Sequence, residues 1–378
     1  MGMLKELTCR KKPSLLSSID QNRMTTYMKT MLLLILALTS GNLFSQSDTG
    51  QIALRFDNKE ETEKWLKQNH LAALGISYIE NGKIKEISVY GELQAGKPAP
   101  QNAVFNVASL TKPVTALVTL KLVDAGVFSL DEALAAYWID PDIAEDPRTF
   151  QLTARHVLSH QTGFPNWRYK NADNKLAFSF DPGTRYQYSG EGFEYLREVL
   201  ERKFKKSLAE LAEELIFSPL EMKDTRFYWD STMNETRFAQ WHNKEGKVYP
   251  VYKNSKPNAA DDLLTTVEDY SKFLLHIMNG AGLSEKLYTE MTSMQVRLGP
   301  QKYFGLGVWI DENVGDGEMA ILHGGDDKGV HTMVFILPQT QRALLIFTNS
   351  DNGTEAYIPT VVHYLGKAGQ DIVDIETR

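Results

Sequence analysis

From residue 55 onward the chain moves between helical and strand periodicity in a definite order. Residues 57–70 repeat apolar positions at helical spacing, with Trp65 and Leu66 inward among charged neighbours, and predict an amphipathic helix. Residues 71–79 and 84–90 are two apolar, partly alternating runs, and the Asn81-Gly82 pair between them predicts a hairpin. Residues 105–125 form a long apolar-periodic segment ending at Gly126. Pro113 stands near its start, where a missing N–H costs a helix nothing. Residues 130–290 read as mostly helical with loops, most clearly at 196–204, 208–216 and 267–278. Short β-branched and aromatic runs return at 305–311, 330–337 and 343–348, and residues 354–367 are expected to close the chain as a helix.

Helix and hairpin first, helices next, strands last: that order predicts an α+β fold. Its antiparallel sheet is built from both chain ends and flanked by helices, with an all-helical insertion lobe at about 130–290. No Pro/Gly/Ser-rich linker, low-complexity tract or repeat interrupts residues 50–378, so residues 47–378 read as one two-lobed domain.

The most apolar run, residues 31–38, is too short to cross a hydrocarbon layer of roughly 30 Å. Lys29 precedes it and small, polar residues follow, which is the order of a secretory signal peptide. Residues 1–46 are therefore expected to be a signal peptide behind an over-long start, with Met28 the natural first residue and the mature chain beginning near Ser47. No cysteine follows the apolar run to take a lipid. The cut leaves 35 basic and 46 acidic residues, net −11, and removes Cys9, the chain's one cysteine. A periplasmic or secreted protein of this charge has no basic face for nucleic acid, little attraction for anionic lipid and no stable membrane insertion. Without cysteine it builds neither a disulfide framework nor a thiolate metal cage.

The sharpest chemistry lies in Ser109-Leu110-Thr111-Lys112, the chain's single Ser-x-x-Lys. Three apart at the head of a predicted helix, Ser109 and Lys112 share a face. A serine hydroxyl is a weak nucleophile without an adjacent base. A lysine serves as that base once burial or a nearby cation pulls its pKa down from about 10.4. His156 and His160 have zinc-ligand spacing, but no glutamate follows His156, so both are expected to pack and cap. The acidic pairs Asp261-Asp262 and Asp326-Asp327 read as solvated loops. Trp167, Tyr169, Trp229 and Trp241 fall in loops of the helical lobe.

Residues 105–112, Phe-Asn-Val-Ala-Ser-Leu-Thr-Lys, resemble the nucleophile motif of the serine β-lactamase and penicillin-binding superfamily, closest to its class C β-lactamase-like branch. Leu130-Asp131-Glu132, residues 152–163 and 181–190, Gly305-Leu306-Gly307-Val308-Trp309 and His323-Gly324-Gly325 resemble further blocks of that branch in the same order, over roughly residues 55–365. The resemblance implies that Ser109 is acylated, that Lys112 is its partner base, and that Tyr188 is the tyrosine sharing a proton with that lysine. It leaves open which of the two takes the serine proton. It also implies that His323, Gly324, Gly325 and Asp326 line the substrate, with the N–H groups of Ser109 and Asp326 forming an oxyanion hole.

Two positions depart from that pattern. Gly190 stands where the β-lactamases carry an asparagine. His323-Gly324-Gly325 replaces Lys-Thr-Gly, so the cation and hydroxyl that receive a substrate carboxylate are missing. The expectation is an exported serine hydrolase acting on an ester or a D-amino-acid peptide or amide, peptidoglycan-derived or small, without cofactor or metal. β-Lactamase or DD-peptidase activity, or non-catalytic capture of cell-wall peptides or penicillins, are the alternatives.

Overall fold

A computed structural model describes residues 54–378; the apolar run at 31–38 and the expected cleavage point lie outside the described residues. Helix α1 (Lys59–Gln68) starts at Asn58, whose side chain accepts from the N–H groups of Glu60 and Glu61. Strands β1 (Ala73–Glu80) and β2 (Lys83–Gln94) then form the hairpin, with Asn81 at φ 52° and Gly82 at φ 67°. Two left-handed residues are what a type I′ turn requires, and Asn-Gly supplies them with little strain.

The remaining strands are β3 (Lys97–Pro98), β4 (Val104–Asn106), β5 (Leu264–Thr266), β6 (Val296–Gly299), β7 (Lys302–Phe304), β8 (Trp309–Val314), β9 (Glu318–Asp327), β10 (Val330–Leu337) and β11 (Arg342–Thr348). Apart from the β4–β5 pair, they make a nine-stranded antiparallel sheet in the order β3-β2-β1-β11-β10-β9-β8-β7-β6. The chain ends meet where β1 pairs with β11. On β11, Leu344 and Ile346 face a core that includes Trp65 and Leu66 of α1 and Val361, Leu365 and Ile372 near the C-terminus. Ala343, Leu345 and Phe347 face the opposite core, shared with the helical lobe. A strand buried on both faces needs an unbroken apolar run, and each such side chain contributes about 1.5–3 kcal/mol.

Four expectations change. Residues 104–106 are strand rather than helix, because they pair with β5, and helix α2 (Thr111–Asp124) starts later. The lobe is less helical than its periodicity predicts. Besides α3 (Ala154–Leu158), α4 (Gly190–Phe204), α5 (Leu208–Ala212) with the π-helical segment Glu213–Phe217 that continues it, α6 (Val267–Met278) and α7 (Glu285–Met291), it is largely loop and short 3₁₀ turns. Residues 305–308 are a turn in which Gly305 N–H donates to Val308 O at 2.8 Å. Gly307, at φ 85°, leaves no room for a side chain against Ala116 of α2. The chain does not close at residue 367. Gly366 at φ 59° breaks the last helix into α8 (Tyr357–Leu365) and α9 (Lys367–Thr377).

Asp311 of β8 is 0% exposed and lies beside Glu376 of α9, whose other oxygen takes Lys302 Nζ at 2.5 Å. Burial, then Glu376, pushes the Asp311 carboxyl up to about 8. The folded pKa exceeds the unfolded one, so this group's contribution to stability is complete below about pH 4 and is lost as pH rises through about 8. Asp311→Asn keeps the shape and removes the titration. It is expected to raise stability at pH 8.5 by at least about 1 kcal/mol and to flatten the pH dependence of Tm between pH 4 and 8, read by calorimetry.

Candidate active site

The serine sits on a tightly held turn. Val107 N–H donates to Leu263 O at 3.0 Å, and Ala108 N–H donates to the Asn106 side chain at 2.8 Å. These bonds hold Ala108 at φ 47°, a costly conformation for alanine, immediately before Ser109. The Ala108–Leu110 3₁₀ turn runs straight into α2, and Thr111 Oγ1 donates back to Ala108 O at 2.6 Å. Helical spacing then brings Lys112 Nζ to 2.8 Å from Ser109 Oγ.

Lys112 is 1% exposed. Its Nζ donates to Ala260 O at 2.8 Å and lies over the Tyr188 ring, 4.6 Å from the centroid. Burial lowers its pKa to about 7, against the opposing pull of Asp261 and Glu194. Asp261 moves the complementary way, up to about 8, through burial and then Asp262. Both shifts run toward the neutral form because neither charge is solvated. The strap that carries Ala260 is tied to the lobe: Glu194 accepts Ala259 N–H at 2.6 Å, and Thr115 Oγ1 donates to Ala259 O at 2.8 Å. Sequence reasoning missed Glu194 and this strap. Glu194 receives a backbone N–H and Lys112 meets a backbone carbonyl, and a backbone group carries no residue-type signal.

Tyr188 closes the cluster. Its ring lies between His160, centroids 4.2 Å apart, and Trp309, at 6.2 Å. Burial raises its pKa well above the usual phenol, while the side chain of Ser109 pulls the other way. His323 lies 4.6 Å from Trp309, ring to ring, and is 1% exposed, inside the core rather than on an open cleft wall. Burial, then Lys112, lowers it to about 3, so the ring is neutral. Its Nδ1 lies 2.8 Å from Gly324 O and therefore carries the ring proton.

Gly325 lies against the serine turn. A Cβ there would strike Val107 O and come within 3.0 Å of Ser109 N, so glycine keeps that N–H open. Gly324 faces Met333 of β10. The Asp326 carboxylate lies 3.3 Å from His331 Nδ1, its cross-strand partner, with its side chain 66% exposed. At Gly190 an added Cβ would come within 2.8 Å of the Trp167 ring. Trp167 thus fills the space beside the tyrosine where a side chain at 190 would begin. Arg168 anchors that loop, pairing with Asp140 at 2.7 Å and Glu191 at 2.9 Å.

The two acidic pairs are not independent loops. One oxygen each from Asp261, Asp262 and Asp327 gather within 4.8 Å of one another. Among the described residues this is the one cluster of three or more acidic, histidine or cysteine side chains gathered this closely. Asp262 already accepts from Asn106 Nδ2 at 3.0 Å. His156 and His160 do not form a ligand pair: α3 ends at Leu158, and His160 lies beyond it at φ 56°.

Fold and cluster together define a two-lobed α+β protein in which a serine, a lysine and a tyrosine converge at the seam between sheet and helical lobe. The family described as Beta-lactamase matches residues 56–364, and the chain belongs to it, within the serine β-lactamase and penicillin-binding superfamily. Penicillin-binding protein 4* of Bacillus subtilis (strain 168) is 24% identical over 304 residues, 70% of this chain and 65% of its own. Esterase EstB of Burkholderia gladioli is 28% identical over 235 residues, 54% of this chain and 58% of its own. The chain thus spans less than two thirds of these relatives' length. The octameric penicillin-binding protein homologue from Pyrococcus abyssi shares the fold, with a TM-score of 0.68 at 20% identity, over 81% of this chain and 76% of that one.

Proposed function

We propose that the protein is a serine hydrolase that acylates Ser109 and releases the acyl group to water. The observation that carries this reading is the 2.8 Å contact between Ser109 Oγ and a lysine held down to about 7 by burial. In that state the amine takes the hydroxyl proton as Oγ bonds to the acyl carbon. The proton passes to the leaving group as its bond to that carbon breaks. Tyr188, kept as the neutral phenol by burial, is placed to relay it. Ser109 N–H and Asp326 N–H receive the oxyanion, and the bare Gly325 lets the substrate approach.

We favour an ester or a D-amino-acid peptide or amide as substrate. Residue 190 brings no amide and its space is filled by Trp167, Gly324 brings no hydroxyl, and His323 is buried and neutral. The names of the penicillin-binding and esterase relatives are consistent with either class. Export to the periplasm or medium, carried by the pattern at residues 29–46, belongs to the same reading; N-terminal sequencing of secreted protein should begin near Ser47, and a chain retaining residues 31–38 contradicts it.

The direct test treats purified protein with a fluorophosphonate. It then measures turnover of p-nitrophenyl esters, D-alanyl p-nitroanilide and a chromogenic cephalosporin. Labelling with ester or anilide turnover supports the proposal, and cephalosporin turnover alone reassigns the substrate to β-lactams. Neither label nor turnover leaves a non-catalytic binder.

A further inference from the structure

His160 is 0% exposed, outside any helix, and strained at φ 56°. It contacts the three consecutive residues that carry the phenol. Its carbonyl accepts Gln187 N–H at 2.8 Å. Its Nδ1 accepts Ser189 N–H at 3.1 Å. Its ring lies against the Tyr188 ring, centroids 4.2 Å apart at 35°. Phe193 at 5.3 Å and Phe304 at 4.8 Å close the ring's other sides.

We infer that His160 is the positioning residue of Tyr188, holding the backbone on both sides of the tyrosine and one face of its ring so that the phenol stays in register with Ser109. The inference rests on the acyl-transfer reading above. The Ser189 contact fixes the tautomer: an Nδ1 that accepts an N–H must leave the ring proton on Nε2. Packing alone would call for any flat apolar ring. An acceptor aimed at the amide next to the tyrosine asks for more than shape. The left-handed backbone is what lets one residue present both its carbonyl and its ring nitrogen to the same short segment. Misplacing a proton-carrying group by about 1 Å can cost on the order of 100-fold in rate.

The test compares three variants with the parent, by kcat and KM on the ester turned over and by hydrogen exchange at the Ser189 amide. His160→Leu removes the acceptor and the flat ring. It should lower kcat about 10- to 100-fold with KM within about threefold, and Ser189 should exchange faster. His160→Asn places an amide oxygen near the Nδ1 position and tolerates positive φ. It should keep Ser189 protected and recover most of the lost kcat. His160→Gly suits the backbone but has no acceptor, and should behave like the leucine variant; it also serves if the leucine variant does not fold.

If glycine restores kcat as well as asparagine does, only the backbone conformation matters and the inference is wrong. It is equally wrong if Ser189 loses protection while kcat stays at the parental value, or if KM alone rises. A parent that takes no fluorophosphonate overturns the hydrolase reading itself. The amide exchange series then still reports separately whether His160 holds the tyrosine segment.

Discussion

Ser109→Ala is expected to abolish fluorophosphonate labelling and to lower kcat on the preferred ester or amide by on the order of 10⁶-fold, toward the residual rate that binding and an oxyanion hole sustain. Nothing else in the cluster can take its place. The chain holds no second Ser-x-x-Lys, and Lys112 Nζ addresses this one hydroxyl at 2.8 Å. Alanine is sterically mild there, because residue 109 lies in the 3₁₀ turn just ahead of α2 and the backbone bonds that hold this turn do not use its hydroxyl. Circular dichroism and Tm should stay close to the parent. Loss of activity with an intact fold isolates the nucleophile. Retained labelling at another residue would place the chemistry elsewhere and remove the basis for the acyl-enzyme.

Lys112→Arg is the second large effect. Arginine keeps the charge but cannot give up its proton, so the free base that Ser109 needs is gone. Acylation should fall by about 10²- to 10⁴-fold. The parent's acylation rate should rise with pH through about 7, where Lys112 loses its proton, and then level off. The arginine variant should show no such limb, and a limb that survives would assign it to another group. Lys112→Met separates chemistry from stability. A lysine whose folded pKa lies below its unfolded value loses stability as pH falls through the folded pKa, here about 7. Methionine removes that penalty, although it leaves Ala260 O without a donor, at about 1–3 kcal/mol. The net expectation is an inactive protein that gains roughly 1–2 kcal/mol at pH 6 and less at pH 9, read from urea unfolding at the two pH values.

The same few residues display what a sequence can and cannot convey. Asn81-Gly82 announced its turn because only residues that accept positive φ fit there. The strand at 343–348 was legible as a short apolar run, and its burial on both faces belongs to the packing of the two cores against it. Strand β9 was not legible by pattern. Its Gly324-Gly325-Asp326-Asp327 end disfavours a strand, and pairing with β10 overrides that preference. His160, four residues from His156 on an expected helix, read as a packing or capping residue because no glutamate follows His156. The helix stops at Leu158, and the turn beyond it carries the ring to the tyrosine.

By itself, then, the sequence determined the α+β class, the meeting of the two chain ends in one sheet, and the Ser109–Lys112 pair. The first two follow from local periodicity and the order of the elements, and the pair from a three-residue spacing that runs from the 3₁₀ turn into α2. The tertiary structure alone decided the burial that holds Lys112 near 7, the strap through Ala260 and Glu194, the seat of Tyr188 between His160 and Trp309, and the convergence of Asp261, Asp262 and Asp327. Each depends on desolvation or on contacts between distant segments, and no window of neighbouring residues encodes how deeply a side chain will lie or which remote carbonyl will face it.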